Sequence, residues 1–159
     1  MKFVILRNFL IKAISSFFFI GYLPLIPGTF GSIAGLGIFY LLNGSSWAGY
    51  FLFVFCLMLL GLLTSGKAEK LLNKKDPGCI VIDEVMGMLI ALSFMPADIK
   101  LIILGFFIFR ILDTLKPFPA GRLQNMPGAI GVMGDDLIAG IYTNIVLQII
   151  LRLSFFKAV

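Results

Sequence analysis

The sequence predicts an all-α fold: an integral membrane helical bundle of about four to five short transmembrane helices, preceded by an N-terminal amphipathic segment. Three observations predict it. Of the 159 residues, 60% are hydrophobic and 13% charged, with a mean hydropathy of +1.05, against roughly 25% charged in an average soluble domain. The apolar runs are too long for barrel strands and lack their ten-residue alternation. Backbone in lipid must satisfy its own hydrogen bonds, which leaves helices. The length fits a single membrane-embedded domain covering residues 1–159.

Residues 1–21, MKFVILRNFLIKAISSFFFIG, form the N-terminal amphipathic or partly inserted segment, helical near 3–21. Its basic start and apolar middle imitate a signal peptide. It lacks a small-residue cleavage site and runs straight on into PLIPGTFGS, so it is expected to stay in the mature protein. A proline-glycine turn then opens a span near 30–43, and NGSS separates that from a span near 47–64. The hydrophilic stretch TSGKAEKLLNKKDPG precedes a span near 81–95; MPAD precedes one near 98–113. The long KPFPAGRLQNMPGAIGVMGDD leads to the last, near 136–153. Several are shorter than the roughly 20 residues that cross a hydrocarbon core of about 30 Å. A thinned bilayer, or helix ends inside the interface, is expected.

Positive residues set the orientation. Lys67, Lys70, Lys74 and Lys75 fall in one gap, Lys116 and Arg122 in another, so both are expected on the cytoplasmic side. Alternation then puts NGSS and MPAD on the far side. It gathers GTFGS, Asp83, Glu84, Asp113, Asp135 and Asp136 near the cytoplasmic face. Arg152 and Lys157 depart from the charge rule at the last span. The net charge of +5 sits in these gaps, which suits anionic headgroups rather than a nucleic-acid surface.

The chain has no histidine and two cysteines, Cys56 and Cys79. That excludes a phosphohistidine enzyme, Ser-His-Asp and Cys-His pairs and imidazole-bound zinc, and gives no disulfide framework. Any metal must be held by oxygen.

Five of the eight acidic residues stand at the edges of apolar segments, where an ionised side chain is unfavourable by several kcal/mol without a partner or cation. Asp83 and Glu84 open a helix, where one acid would complement the macrodipole and two exceed that need. Asp113 lies three residues after Arg110, the spacing of an intrahelical pair. Lys116, at the KPFP break, points a second cation toward the same place. One of Asp135 and Asp136 could cap the last helix. From Asp136 that helix presents Ala139, Gly140, Thr143 and Asn144 as one small and polar stripe. Oxygen ligands without nitrogen or sulfur suit Mg²⁺. PGTFGS at 27–32, with Thr29 and Ser32 in a first helical turn, suits phosphate. Cys79 has Val85 six residues on in place of an arginine, and no Asp-x-Asp pair exists, so cysteine and aspartyl-phosphate chemistry drop out. What survives is metal-assisted attack by water on a phosphoryl group.

In order and spacing, PGTFGS, KDPGCIVIDEVMG, FRILDTLKPFP and GDDLIAG resemble the bacterial phosphatidylglycerophosphatase A family over roughly residues 20–145. The resemblance implies a Mg²⁺-dependent lipid phosphatase that converts phosphatidylglycerophosphate to phosphatidylglycerol and phosphate, at the cytoplasmic face of the inner membrane. It points to Asp83, Glu84, Asp113, Lys116, Asp135 and Asp136 as the functional positions. Leu112 stands where phenylalanine is expected, a packing change only. On this reading Asp83, Glu84, Asp113, Asp135 and Asp136 hold the metal, and Thr29, Ser32, Arg110 and Lys116 bind the substrate phosphate. Asp83, Glu84, Asp113 and Asp136 are the catalytic set, with Lys75 and Asp76 behind them. Two rivals remain: a small cation channel or transporter with an acidic intramembrane site, and a non-catalytic membrane subunit. A channel leaves Arg110 and Lys116 unexplained, since they repel a permeant cation.

Overall fold

The computed structural model describes residues 2–157; Met1, residues 158–159 and the side chains of 154–157, Lys157 among them, lie outside that description. The helices are α1 (Lys2–Ser15), α2 (Pro27–Leu42), α3 (Trp47–Leu72), α4 (Ile82–Ala91), α5 (Ile99–Leu115), α6 (Ala120–Gln124) and α7 (Ala129–Lys157), with a 3₁₀ turn at Ile20–Tyr22. No strand occurs among the described residues. The all-α expectation holds.

Several boundaries differ from the sequence expectation. α1 stops at Ser15 rather than near 21, because the Ser16 hydroxyl donates to the Lys12 carbonyl (2.6 Å) and accepts from the Phe19 N–H (3.1 Å). Phe17, Phe18 and Phe19 then run left-handed, at φ 46°, 54° and 68°. α3 continues eight residues past Thr64, since Ala68-Glu69-Lys70-Leu71-Leu72 are strong helix formers. It ends where Asn73 turns left-handed and returns its N–H to the Glu69 carbonyl. α7 starts at Ala129 rather than 136. Its boundary is Gly128, at φ +69°, whose carbonyl accepts from Gly131 (2.9 Å) and Val132 (3.3 Å). α6 was not expected.

Of the four to five expected spans, only α3 and α7 among the described residues are long and apolar enough to cross a membrane on length and composition. α2 is a shorter apolar helix. α4 has ten residues, about 15 Å at 1.5 Å per residue, half a hydrocarbon core. It is the centre of the molecule, packed mainly between α2 and α7. Ile82, Val85, Met86, Met88, Leu89 and Ala91 are at most 1% exposed.

Such close packing needs bare backbone on the neighbours. A Cβ at Gly35 of α2 would lie 2.8 Å from the Met88 Cβ, and one at Gly31 would lie 2.9 Å from the Val81 Cβ. Gly87 of α4 faces Gly140 of α7, where a Cβ on Gly140 would strike the Gly87 carbonyl.

A helix ending inside an apolar bundle leaves carbonyls without partners unless side chains supply donors. Tyr50 of α3 donates to the Leu89 carbonyl at 2.6 Å. Asn144 of α7 donates from one amide nitrogen to Ala91 (3.0 Å) and Ser93 (2.7 Å). At this end the first turns of α3 meet the 92–98 connection through aromatic contacts, Trp47 with Phe94 (4.7 Å) and Phe51 with Phe94 (5.1 Å). Ser46 caps α3 and Asp98 caps α5, so Asp98 has a structural duty.

Asn144→Leu should therefore lower stability in detergent by about 1–3 kcal/mol, the usual result of orphaning a buried polar group. Tyr50→Phe, which removes one donor from a carbonyl that Ser93 also reaches (3.1 Å), should have the smaller effect in the same thermal-unfolding measurement.

Candidate active site

The opposite end of α4 carries the acids. Asp83 and Glu84 lie in its first turn, where unpaired N–H groups and the helix dipole favour negative charge. Asp136 of α7 reaches the same space. Ligand-capable oxygens of Asp83, Glu84 and Asp136 all lie within 4.8 Å of one another. Asp83 and Asp136 are buried, 5% and 3% exposed. The Glu84 N–H donates to Asp83 Oδ1 (3.1 Å), but Glu84 Oε2 and Asp136 Oδ1 are buried with no hydrogen-bond partner. Buried carboxylate oxygens require compensation. Three such groups converging from two helices could hold a metal ion.

Two cations border the triad. Arg110 donates to Asp113 at 2.7 Å, the i, i+3 pair that the spacing suggested. Asp113 in turn lies within electrostatic reach of Glu84 and Asp136. Lys116 ends α5 in a left-handed conformation, φ 47°, ahead of Pro117, and donates to Asp135 of α7. Partial burial opposes the Lys116 charge, but the hydrogen bond and charge of Asp135 outweigh it and hold the ammonium above its ordinary pKa. Asp135 Oδ1 has no hydrogen-bond partner.

The first turn of α2 closes the site. A Cβ at Gly28 would meet Glu84 Oε1 and lie 3.3 Å from Arg110 Nη1, so the start of α2 packs directly against both side chains. Thr29 is half-buried in that turn. Ser32 is fully buried and its hydroxyl donates to the Gly28 carbonyl at 3.0 Å.

The fold thus brings all the expected residues to one end of the bundle, though not all to one point. Asp83, Glu84 and Asp136 form the triad; Asp113 and Asp135 stand beside it in ion pairs with Arg110 and Lys116. Neither Asp135 nor Asp136 caps a helix, because α7 begins at Ala129 and both lie about two turns inside it. Asp76 lies within electrostatic reach of Asp83 and Asp135. It is held by Glu69, which accepts its N–H (2.8 Å), and by Gln124 (3.4 Å), two residues that sequence reasoning passed over. Lys75 is exposed and donates to the Asn125 carbonyl (3.4 Å).

Comparison with known proteins places the sequence among relatives. The family model described as phosphatidylglycerophosphatase A matches residues 13–151. The chain is 37% identical to phosphatidylglycerophosphatase A of Escherichia coli over 132 residues, 82% of this chain and 77% of that one. It is 36% identical to phosphatidylglycerophosphatase A of Haemophilus influenzae over 124 residues, 76% of each. It is also 32% identical over 154 residues, 89% of this chain and 94% of the other, to a Bacteroides thetaiotaomicron protein named as a candidate phosphatidylinositol-3-phosphatase. No solved structure matches it significantly.

The Lys116–Asp135 pair yields a test. Lys116→Met leaves a buried carboxylate without its cation, which is more damaging than removing both groups. A double-mutant cycle with Asp135→Asn should show a coupling of at least about 1 kcal/mol in detergent unfolding; strict additivity would mean that the pair does nothing for the fold.

Proposed function

The chain belongs to the phosphatidylglycerophosphatase A family, and on that premise we propose that it is a Mg²⁺-dependent lipid phosphatase converting phosphatidylglycerophosphate to phosphatidylglycerol and phosphate. The observation that carries the reading is the carboxylate triad, with oxygens within 4.8 Å, standing beside two cations and a helix N-terminus. A channel would not place Arg110 and Lys116 there.

Asp83, Glu84 and Asp136 would hold the ion, with Asp113 and Asp135 next to them; the unpartnered buried oxygens of Glu84, Asp135 and Asp136 suit a hard cation. Bound there, Mg²⁺ would neutralise phosphoryl charge and make water a stronger nucleophile. Arg110 and Lys116 reach from their carboxylates toward the phosphate oxygens. Thr29 and the first turn of α2 bind the phosphate from the other side, and Ser32 braces that turn through Gly28. Asp113, released as Arg110 reaches the phosphate, accepts the proton of the attacking water. The water oxygen bonds to phosphorus as the P–O bond to glycerol breaks, and the proton taken by Asp113 passes on to the leaving glycerol oxygen.

The whole chain serves as one membrane domain. α3 and α7 cross fully. α2 (16 residues, about 24 Å) and α5 (17 residues, about 26 Å) cross a thinned bilayer, while α4 enters halfway. That makes four spans and a half-helix. Lys67, Lys70, Lys74, Lys75, Lys116 and Arg122 share the end that carries the acids, which supports a cytoplasmic site on a bacterial inner membrane.

Detergent-purified protein should release phosphate from phosphatidylglycerophosphate with Mg²⁺ and stop when a chelator is added. Phosphatidylinositol 3-phosphate, run in parallel, should be the poorer substrate. Asp83→Asn, Asp113→Asn and Asp136→Asn should each reduce turnover at least about a hundredfold, the scale of losing a group that stabilises transition-state charge. Lys116→Met should raise KM and lower kcat. Undiminished rates in two of the three carboxylate variants would refute the site.

A cysteine placed at Gln124, in a background lacking Cys56 and Cys79, should label only when the cytoplasmic side is open. Labelling from the outer side would reverse the orientation.

A further inference from the structure

Between α1 and α3 lies a groove of about 590 Å³ that no part of the acid site reaches. Arg7, Lys67 and Lys70 line it, with no acidic residue among its walls. None of the three is in an ion pair among the described residues. Glu69, next to Lys70 in the chain, is engaged by the Asp76 N–H instead. The rest of the lining is apolar, from Ile11 and Ile14 on one side and Leu60, Leu63 and Leu71 on the other. Asn8 adds a buried amide oxygen with no hydrogen-bond partner. Thr64 adds no free donor, since its hydroxyl hydrogen goes to the Leu60 carbonyl.

A cationic cluster without a counter-charge calls for an anion, while greasy walls call for hydrocarbon. The surface around the groove decides between a soluble anion and an amphiphile. Phe3, Leu6 and Leu10 of α1 are 88%, 56% and 48% exposed, and Leu63 of α3 is 59% exposed. Such a surface faces acyl chains rather than water.

We propose that this groove binds one anionic phospholipid of the surrounding bilayer, its headgroup against Arg7, Lys67 and Lys70 and one acyl chain along Ile11, Leu60 and Leu63. The lipid is resident rather than reacting, because the groove holds no carboxylate that could bring a metal to it. Arg7 and Lys67 sit on different helices, so the headgroup also pins α1 to α3. Cations near an anionic headgroup act additively, which makes charge the discriminating property.

Native mass spectrometry of the detergent-purified protein tests this without reference to hydrolysis, so its failure and a failure of the phosphatase reading are separate results. With dioleoyl chains on both lipids, phosphatidylglycerol should be retained at least about tenfold better than phosphatidylcholine. The combined Arg7→Gln, Lys67→Gln and Lys70→Gln variant should fall to the phosphatidylcholine level. Lys74→Gln with Lys75→Gln, outside the groove, should not. Leu63→Trp, which fills the groove at an exposed position and keeps every charge, should lower retention even if the triple variant misfolds. Equal retention of the two lipids, or retention unchanged by Leu63→Trp, would overturn the proposal.

Discussion

A ten-residue helix buried at both ends is the constraint that the rest of the molecule answers. α4 is too short to reach water on the far side, so the polar groups at its two ends must be satisfied inside protein. Tyr50 and Asn144 supply donors where carbonyls protrude. At the other end the exposed N–H groups and the positive pole of the dipole favour carboxylates. The position of α3 and α7 follows, since each must place its donor at the height where α4 stops. The chemistry follows too: acids stabilised by one helix end become the floor of a site once Asp136 joins them.

Three carboxylates within a few ångströms repel one another, and the fold offsets that repulsion from several directions. Each neighbour is delivered by a separate local device. A Pro-Gly turn starts α2 against Glu84, and a left-handed Lys116 before Pro117 sends its ammonium across to α7. The backbone of Gly128 starts α7 early enough that Asp136 arrives two turns deep. These segments are spread from residue 28 to residue 136 and share nothing except the end of the bundle where they meet.

The acidic residues stood out because charge in an apolar sequence has so few structural uses, although the pairing of Lys116 with Asp135 did not. Arg110 and Asp113 pair at the spacing that predicts it, and Asp83 and Glu84 open a helix as expected. The boundaries were less legible. GAIGVMG reads as a loop by composition, yet it is the start of α7, where a Cβ at Gly134 would touch Leu123, and the aspartates are not caps. TSGKAEK reads as a hydrophilic gap, and α3 simply continues through it, because helix propensity outweighs polarity where the helix leaves the apolar layer. Length alone could not reveal that α4 is a half-helix; only Tyr50 and Asn144, engaging its last carbonyls, mark where it ends. Gly28 sat in a motif read for phosphate, while its contact with Glu84 and Arg110 needed three helices in place.

The glycine contacts also determine how this protein can be engineered. Replacing helix glycines by alanine is a common way to stiffen a chain, worth roughly 0.5–1 kcal/mol where the space allows. At Gly28, Gly31, Gly35, Gly87 and Gly140 the added methyl would meet a carboxylate, backbone or a packed side chain. Gly37 is different: nothing lies within 4 Å of where its Cβ would be. Thermostable variants for crystallisation will therefore come from the outer face of α2 and from lipid-facing positions, whereas a glycine-to-alanine scan through the interior will separate the helices that align the acids.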